Sequence, residues 1–349
     1  MELIFKDKIK YILNKYNISI DINEIEKRYS EKHRFFHTIE HINFILNKIY
    51  KLYDNKDIDN TEKDILVISC IFHDIIYIIG NNDNEKLSSE FLLSLSSELN
   101  DIIKTSINII NDTANHKSSN KLSNIFIDLD MSIINDSSFP ELLRYEKQIY
   151  LENQKYGFST YKKNRLDFLK HILLHTKYGH NNQVNIIKLI EYIENYTPKI
   201  GIYAGSFNPF HNGHKNIMEK AEKMFDKVII AIGINPEKNQ DTDYLINLKN
   251  NTNLLNKKLN KEVNYYTGLI TDYIKEKEEH ENIDITLIRG LRDGFDLVYE
   301  NRQMQYIKDI YPNIKIVYIP SDIEFSHISS KSLRYLKSYD EKLIEKYTL

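Results

Sequence analysis

The sequence predicts two domains, the first all-α and the second an α/β, Rossmann-like fold with a parallel sheet. Three observations predict this. The length of 349 residues suits roughly two domains, each large enough to bury a core. Residues 1–197 contain three glycines and one proline, Pro140, and their apolar residues recur mostly at helical spacing. From Lys199 onward, short β-rich runs alternate with helical stretches, the order expected of parallel strands joined by crossover helices. Pro198 ends the preceding helical pattern, so the domains are set at 1–197 and 198–349.

In chain order, HINFILNKIYKLY (41–53) and the long run from Glu90 to Ile110 read as helices. The most apolar stretch, ILVISCIFHDIIYII (65–79), is too short to span a bilayer and contains His73 and Asp74. In the second half, KIGIYAG (199–205), KVIIAIGI (227–234), DITLIRG (284–290) and IKIVYIP (314–320) read as strands. HKNIMEKAEKMF (214–225) reads as a crossover helix, and the charge run KEKEEHEN (275–282) as a solvated helix end. There is no long linker and no internal repeat.

With 47 basic and 50 acidic residues, the formal net charge is −3. That argues against broad nucleic-acid binding, which needs a basic excess or stripe. The single cysteine, Cys70, excludes an intramolecular disulfide and fits a reducing compartment. MELIFKDKIK has no apolar core long enough for a signal peptide. The expectation is a cytoplasmic protein with small-molecule partners, no nucleic acid and no membrane.

Chemistry first surfaces at GSFNPFHNGH (205–214), directly after the first strand of the second half. Glycines there allow a tight turn and close backbone approach, and the following helix offers free N–H groups and a positive dipole end to an anion. The segment is neither a Walker loop nor a GxGxxG. Its expected cationic donors are His211 and His214, able to bind phosphate oxygens and stabilise charge on a reacting phosphorus. Arg289 and Arg292 end an apolar strand, where open α/β sheets bind ligands.

GSFNPFHNGH resembles the signature of the HxGH nucleotidyltransferases. Residues 199–349 as a whole resemble phosphopantetheine adenylyltransferase: NGHKNIMEKAEKMFDKVIIAIGINPEK, TGLITDY, LIRGLRDGFDLVYENRQM and FSHISSKS follow in that family's order. The resemblance implies Mg²⁺-assisted transfer of AMP from ATP to 4′-phosphopantetheine, giving dephospho-CoA and pyrophosphate. It implies that Ser206 and His214 contact the ATP phosphates and that Lys238 bridges the two reacting phosphates. Arg289 would grip the acceptor phosphate through a two-pronged contact, with Ile270 along the pantetheine arm. Phe207, Gly290, Leu291, Arg292 and Glu300 would form the nucleotide site. A segment of Phe325, Ser326, His327, Ile328, Ser329, Ser330 and Lys331 would close over the phosphates. His214, Lys238, Arg292 and His211 are the implied catalytic set. The sequence departs from the family at Ser206 and His211, each usually threonine, at DYLINLKNNT (243–252), and at His327 and Lys331. HxGH and ISS are shared with nicotinamide-mononucleotide adenylyltransferases, the alternative reading. A homo-oligomer through the C-terminal half is left open.

In the N-terminal half, His37 and His41 are four apart and share a helical face. His73 and Asp74 interrupt an apolar helix, where an unpaired carboxylate would cost several kcal/mol, roughly. YSEKHRFFHTIEHI, FHDIIY, DNEKLSSE and FIDLDMSII resemble a group of metal-dependent HD-superfamily phosphohydrolases, over residues 29–175. That resemblance implies an HD domain binding a divalent metal such as Mn²⁺, Mg²⁺ or Fe²⁺ through His41, His73, Asp74 and Asp130, with Asp128 the weaker substitute for Asp130. His37 resembles the proton-donating histidine of related phosphodiesterases, and His116 a substrate or second-metal contact. A catalytically inactive regulatory HD module is the other reading.

Overall fold

The computed structural model describes residues 2–234 and 252–348, without the side chains of 178 and 179. By internal packing the chain divides into two units, Met1–Asn153 with Arg165–Tyr192, and Gln154–Asn164 with Ile193–Leu349. The expected single boundary at 197/198 is therefore corrected. Residues 154–164 join the second unit because Gln154 O accepts from Glu262 N at 3.1 Å and Lys227 Nζ donates to the Tyr156 carbonyl. Lys227 is buried and pairs with Glu262 at 2.7 Å, so this stretch caps a charge that the sheet could not bury alone.

The first unit is helical. Thr38 caps helix Ile39–Asp54 by accepting from Glu40 N, and Ile39, Ile42, Ile45, Leu46 and Ile49 form its buried stripe. Asp59 and Glu62 form a capping box on helix Asn60–Phe72, which is buried continuously from Asp64 to Phe72. Each of its fully buried Ile or Leu side chains contributes about 2 kcal/mol. Helix Lys121–Asp130 begins at the Asn120 cap and packs on both of these helices. The helix expected from Glu90 to Ile110 is instead two helices, Asn84–Leu95 and Asp101–Thr113. Asn100 caps the second by accepting from Ile103 N, and Ser96 pairs as an isolated bridge with Ile18.

The second unit holds a five-stranded parallel sheet: β1 Lys199–Gly205, β2 Lys227–Ile234, β3 Val263–Thr267, β4 Asp284–Leu291 and β5 Lys315–Pro320, in the order β3-β2-β1-β4-β5. Ile200, Ile202 and Ala204 of β1 face one core and Tyr203 the other, which explains the unbroken apolar run. Strand β3 (VNYYT) was not foreseen; it is an edge strand with alternating exposure and little apolar signal. The charge run is also less solvated than its sequence implies. Lys277 and Glu281 are each 14% exposed, and Lys277 Nζ reaches Glu262 at 2.7 Å. Among the described residues, no helix is long and apolar enough to cross a membrane.

Candidate active sites

Chain order reverses direction between β1 and β4, and in such sheets ligands bind beyond the strand C-termini at that switch. Here a cavity of about 490 Å³ opens. The loop after β1 carries Ser206 and Phe207 to its wall and ends at His211, the N-cap of helix Asn212–Ala221. His211 Nδ1 accepts from His214 N at 3.4 Å, and His214 Nδ1 accepts from His211 N at 3.3 Å. The two rings stack with centroids 3.6 Å apart. Gly213 leaves room between them, since a Cβ there would come within 3.1 Å of the His211 ring and push it aside.

This reciprocal cap decides the protonation chemistry. A backbone N–H can only donate, so each Nδ1 is a bare acceptor and each neutral ring carries its proton on Nε2. Burial, aided by the Arg292 charge, lowers His211 to about 4. Burial, then His211 and Arg292, takes His214 well below the ordinary imidazole value. The expected cationic histidines are therefore corrected to neutral Nε2–H donors. Between pH 4 and 6.5 the unfolded chain binds protons that the folded rings refuse, so these groups make stability fall as pH drops through that window. Imidazole ¹⁵N shifts of His211 and His214 should stay constant from pH 8 to about pH 5; a transition near 6.5 would contradict the buried, neutral pair.

Arg289 and Arg292, at the end of β4, also line the cavity. Arg289 Nε and Nη2 each donate to a Glu300 oxygen at 2.6 Å, and Arg292 Nε and Nη2 to Asp296 at 2.9 Å. The two-pronged face expected to grip the acceptor is thus taken by Glu300, and Glu300 serves the arginine directly. Gly290 leaves room for Tyr203 Oη, which a Cβ would meet at 3.1 Å. Across the cavity, Ser329 caps helix Ser330–Lys337 by accepting from Ser332 N, and Ser330 Oγ donates to Pro209 O at 3.1 Å. A second helix N-terminus thereby faces the same space.

Leu291, Phe325, Ile328 and Lys331 are likewise on the cavity wall. Ile270 is not: it packs against the core beneath the sheet. Ser326 Oγ donates to Ile323 O and the His327 ring meets Tyr347, so neither lines the cavity. Lys238 lies outside the described residues.

A parallel sheet switching at β1/β4, with an HxGH cap and paired arginines at the switch, defines the second unit as a nucleotidyltransferase. A family model described as cytidylyltransferase-like matches residues 202–336. The phosphopantetheine adenylyltransferase of Mycoplasma mycoides is 40% identical over 141 residues, 40% of this chain and 98% of that protein. That of Cytophaga hutchinsonii is 37% identical over 144 residues, 41% of this chain and 91% of its own. The Clostridium botulinum protein of the same name is 32% identical over 141 residues, 40% of this chain and 83% of that one. The chain belongs, through its C-terminal unit, to the phosphopantetheine adenylyltransferase family.

The first unit, outside residues 202–336, gathers a different constellation. His41 stands in the first turn of its helix, His73 caps Asn60–Phe72, and Asp130 ends Lys121–Asp130. The packing of these three helices brings one ligand atom from each within 4.8 Å of the others. His41 Nε2 lies 3.0 Å from Asp130 Oδ1, and His73 Nε2 lies 3.0 Å from Asp74 Oδ2 and 3.7 Å from Asp130 Oδ1. Asp74 borders the cluster through His73 rather than belonging to the three. Asp128 instead pairs with Lys177 at 2.6 Å. Buried Arg34 pins the turn, donating to the carbonyls of Asp74 at 2.7 Å and Ile75 at 3.1 Å.

The cluster fits a cation. His73 Nδ1 donates to the Cys70 carbonyl at 3.0 Å, which would leave Nε2 as the nitrogen to meet a cation; against burial, the carboxylates of Asp74 and Asp130 raise its pKa while that place is taken by a proton. That Nε2 is buried with no well-aligned hydrogen bond and faces the carboxylates of Asp74 and Asp130. Burial opposes charge on Asp74 and Asp130, yet the neighbouring histidines hold both carboxyls below their usual range. His116, lowered by burial, lies in the field of Asp130 and Asp74.

Proposed function

We propose that the second unit transfers AMP from ATP to the phosphate of 4′-phosphopantetheine. An oxygen of the acceptor phosphate attacks the α-phosphorus, and the bond to the bridging oxygen of the β-phosphate breaks to release pyrophosphate. The observation carrying this reading is the stacked pair of neutral Nε2–H imidazoles at a helix N-terminus, beside the guanidiniums of half-buried Arg289 and exposed Arg292. Such donors stabilise charge developing on the transferred phosphorus and need no rearrangement during reaction. Positioning by the two facing helix N-termini supplies the rest. Mg²⁺ would enter on the ATP phosphates, because Asp296 and Glu300, the carboxylates on the described wall, are held by arginines.

The named relatives favour pantetheine phosphate over nicotinamide mononucleotide. Tyr273, the aromatic candidate in TGLITDY, lies off this cavity wall, stacked on Tyr266 and receiving a hydrogen bond from Asn264. With ATP, pyrophosphate release should occur with 4′-phosphopantetheine and stay at background with nicotinamide mononucleotide; the opposite preference would overturn the acceptor. Arg289→Lys should raise the acceptor KM by about tenfold or more, the worth of a charge-assisted hydrogen bond, with ATP binding little changed. Lysine can neither keep both Glu300 bonds nor present a second guanidinium edge.

For the first unit we propose a metal-dependent phosphohydrolase of the HD type. His41, His73 and Asp130 would hold a divalent ion, with Asp74 beside them. When bound, such an ion lowers the pKa of a coordinated water for attack on a phosphoester. The convergence of one ligand atom each from His41, His73 and Asp130 within 4.8 Å, at a largely buried site, is the supporting observation. Metal analysis of the purified protein after loading with Mn²⁺ tests it; a chain that takes up no ion would favour an inactive regulatory module.

A further inference from the structure

Glu152 breaks two local rules. It is the last residue of helix Phe139–Glu152, at the negative end of the helix dipole, and its side chain is fully buried. Five donors explain its retention. Oε1 accepts from the backbone N–H groups of Phe35 and Phe36 at 2.8 Å and of His37 at 3.0 Å. Oε2 accepts from His37 Nδ1 at 2.7 Å and from Tyr77 Oη at 2.9 Å. Burial raises the carboxyl, but the His37 charge and these bonds bring it to about 2. Glu152 is therefore an ionised, acceptor-only group, and Nδ1 of His37 must be the donor.

Ring geometry places Nε2 of His37 opposite that bond. His37 keeps a fifth of its side chain exposed, packs tilted against the Tyr77 ring with centroids 4.3 Å apart and has its ring 6.3 Å from that of His41, a residue of the candidate cation cluster. We propose that Glu152 is a positioning residue that fixes His37 in the Nδ1–H form, with Nε2 as the nitrogen that exchanges a proton with the leaving or attacking oxygen of a phosphoester. This rests on the phosphohydrolase reading above. The pairing resembles the orientation of a catalytic imidazole by a buried carboxylate, where the amide variant leaves geometry intact but reverses the tautomer.

The test uses the full chain. In wild type, histidine ¹⁵N spectra near neutral pH should report His37 protonated at Nδ1, whether or not any hydrolysis is found. In Glu152→Gln the amide oxygen can keep the three backbone N–H groups while its NH₂ turns to Nδ1, and the proton should move to Nε2. With Mn²⁺ and bis(4-nitrophenyl) phosphate, that variant should lose roughly a hundredfold in kcat with KM and metal content unchanged, and Glu152→Asp should recover part of it. A wild-type His37 protonated only on Nε2, or a Glu152→Gln protein that turns over like wild type, would overturn the proposal. Absence of hydrolysis in wild type would instead remove the phosphohydrolase reading, while the spectra still decide whether Glu152 sets the tautomer.

Discussion

His214→Ala is expected to cut adenylyl transfer by at least about a hundredfold, the typical cost of removing one preorganised donor to a developing negative charge. The structure sharpens the reason. His214 does not act as a cation, since burial and the neighbouring His211 and Arg292 keep it neutral. Its value lies in an Nε2–H whose direction is set by the bond from His211 N to Nδ1. Alanine removes that donor and also the acceptor of a helix-start N–H, so the loop 206–211 loses part of its anchor. Single-turnover measurement of AMP transfer separates these effects: chemistry should slow far more than ATP binding weakens. A folded variant with wild-type turnover would remove His214 from the mechanism.

The second large effect concerns the other unit. Asp130→Ala should abolish retention of divalent metal and with it any phosphoester hydrolysis, while pyrophosphate release by the adenylyltransferase unit continues. Asp130 is the residue to change because its Oδ1 faces both His41 and His73, so its loss leaves two imidazoles without the anionic ligand that a hard divalent ion prefers. Asp74→Ala should act in the same direction. Metal content equal to wild type in Asp130→Ala, measured on dialysed protein, would show that the cluster is not the ligand set.

Local chemistry was legible wherever a short stretch contains its whole reason. The run KIGIYAG is apolar at every inward position because β1 is covered on both faces, and GSFNPFHNGH contains the glycine, the cap and both imidazoles of one turn. The helix Ile39–Asp54 announces itself by spacing, but the helical face expected to be shared by His37 and His41 does not form, because His37 precedes the Thr38 cap and sits in the turn before the helix. The Glu90–Ile110 run misled because its apolar residues continue in phase across Ser96–Asn100, where a capping asparagine restarts the helix. Strand β3 escaped because an edge strand buries only part of its side chains.

What the sequence by itself determined is the pair of architectures, the loop after β1 that walls the cavity, and the histidine and aspartate types that gather as His41, His73 and Asp130. These depend on periodicity and on residues within one or two turns of one another. The tertiary structure alone decided which charges meet. Glu152 reaches His37 across 115 residues of chain, Gln154–Asn164 joins the second unit through Glu262 and Lys227, and Glu300 occupies the Arg289 face that looked ready for substrate. A charge in a sequence shows no partner; burial makes pairing obligatory, and only folding brings the partners within hydrogen-bonding distance.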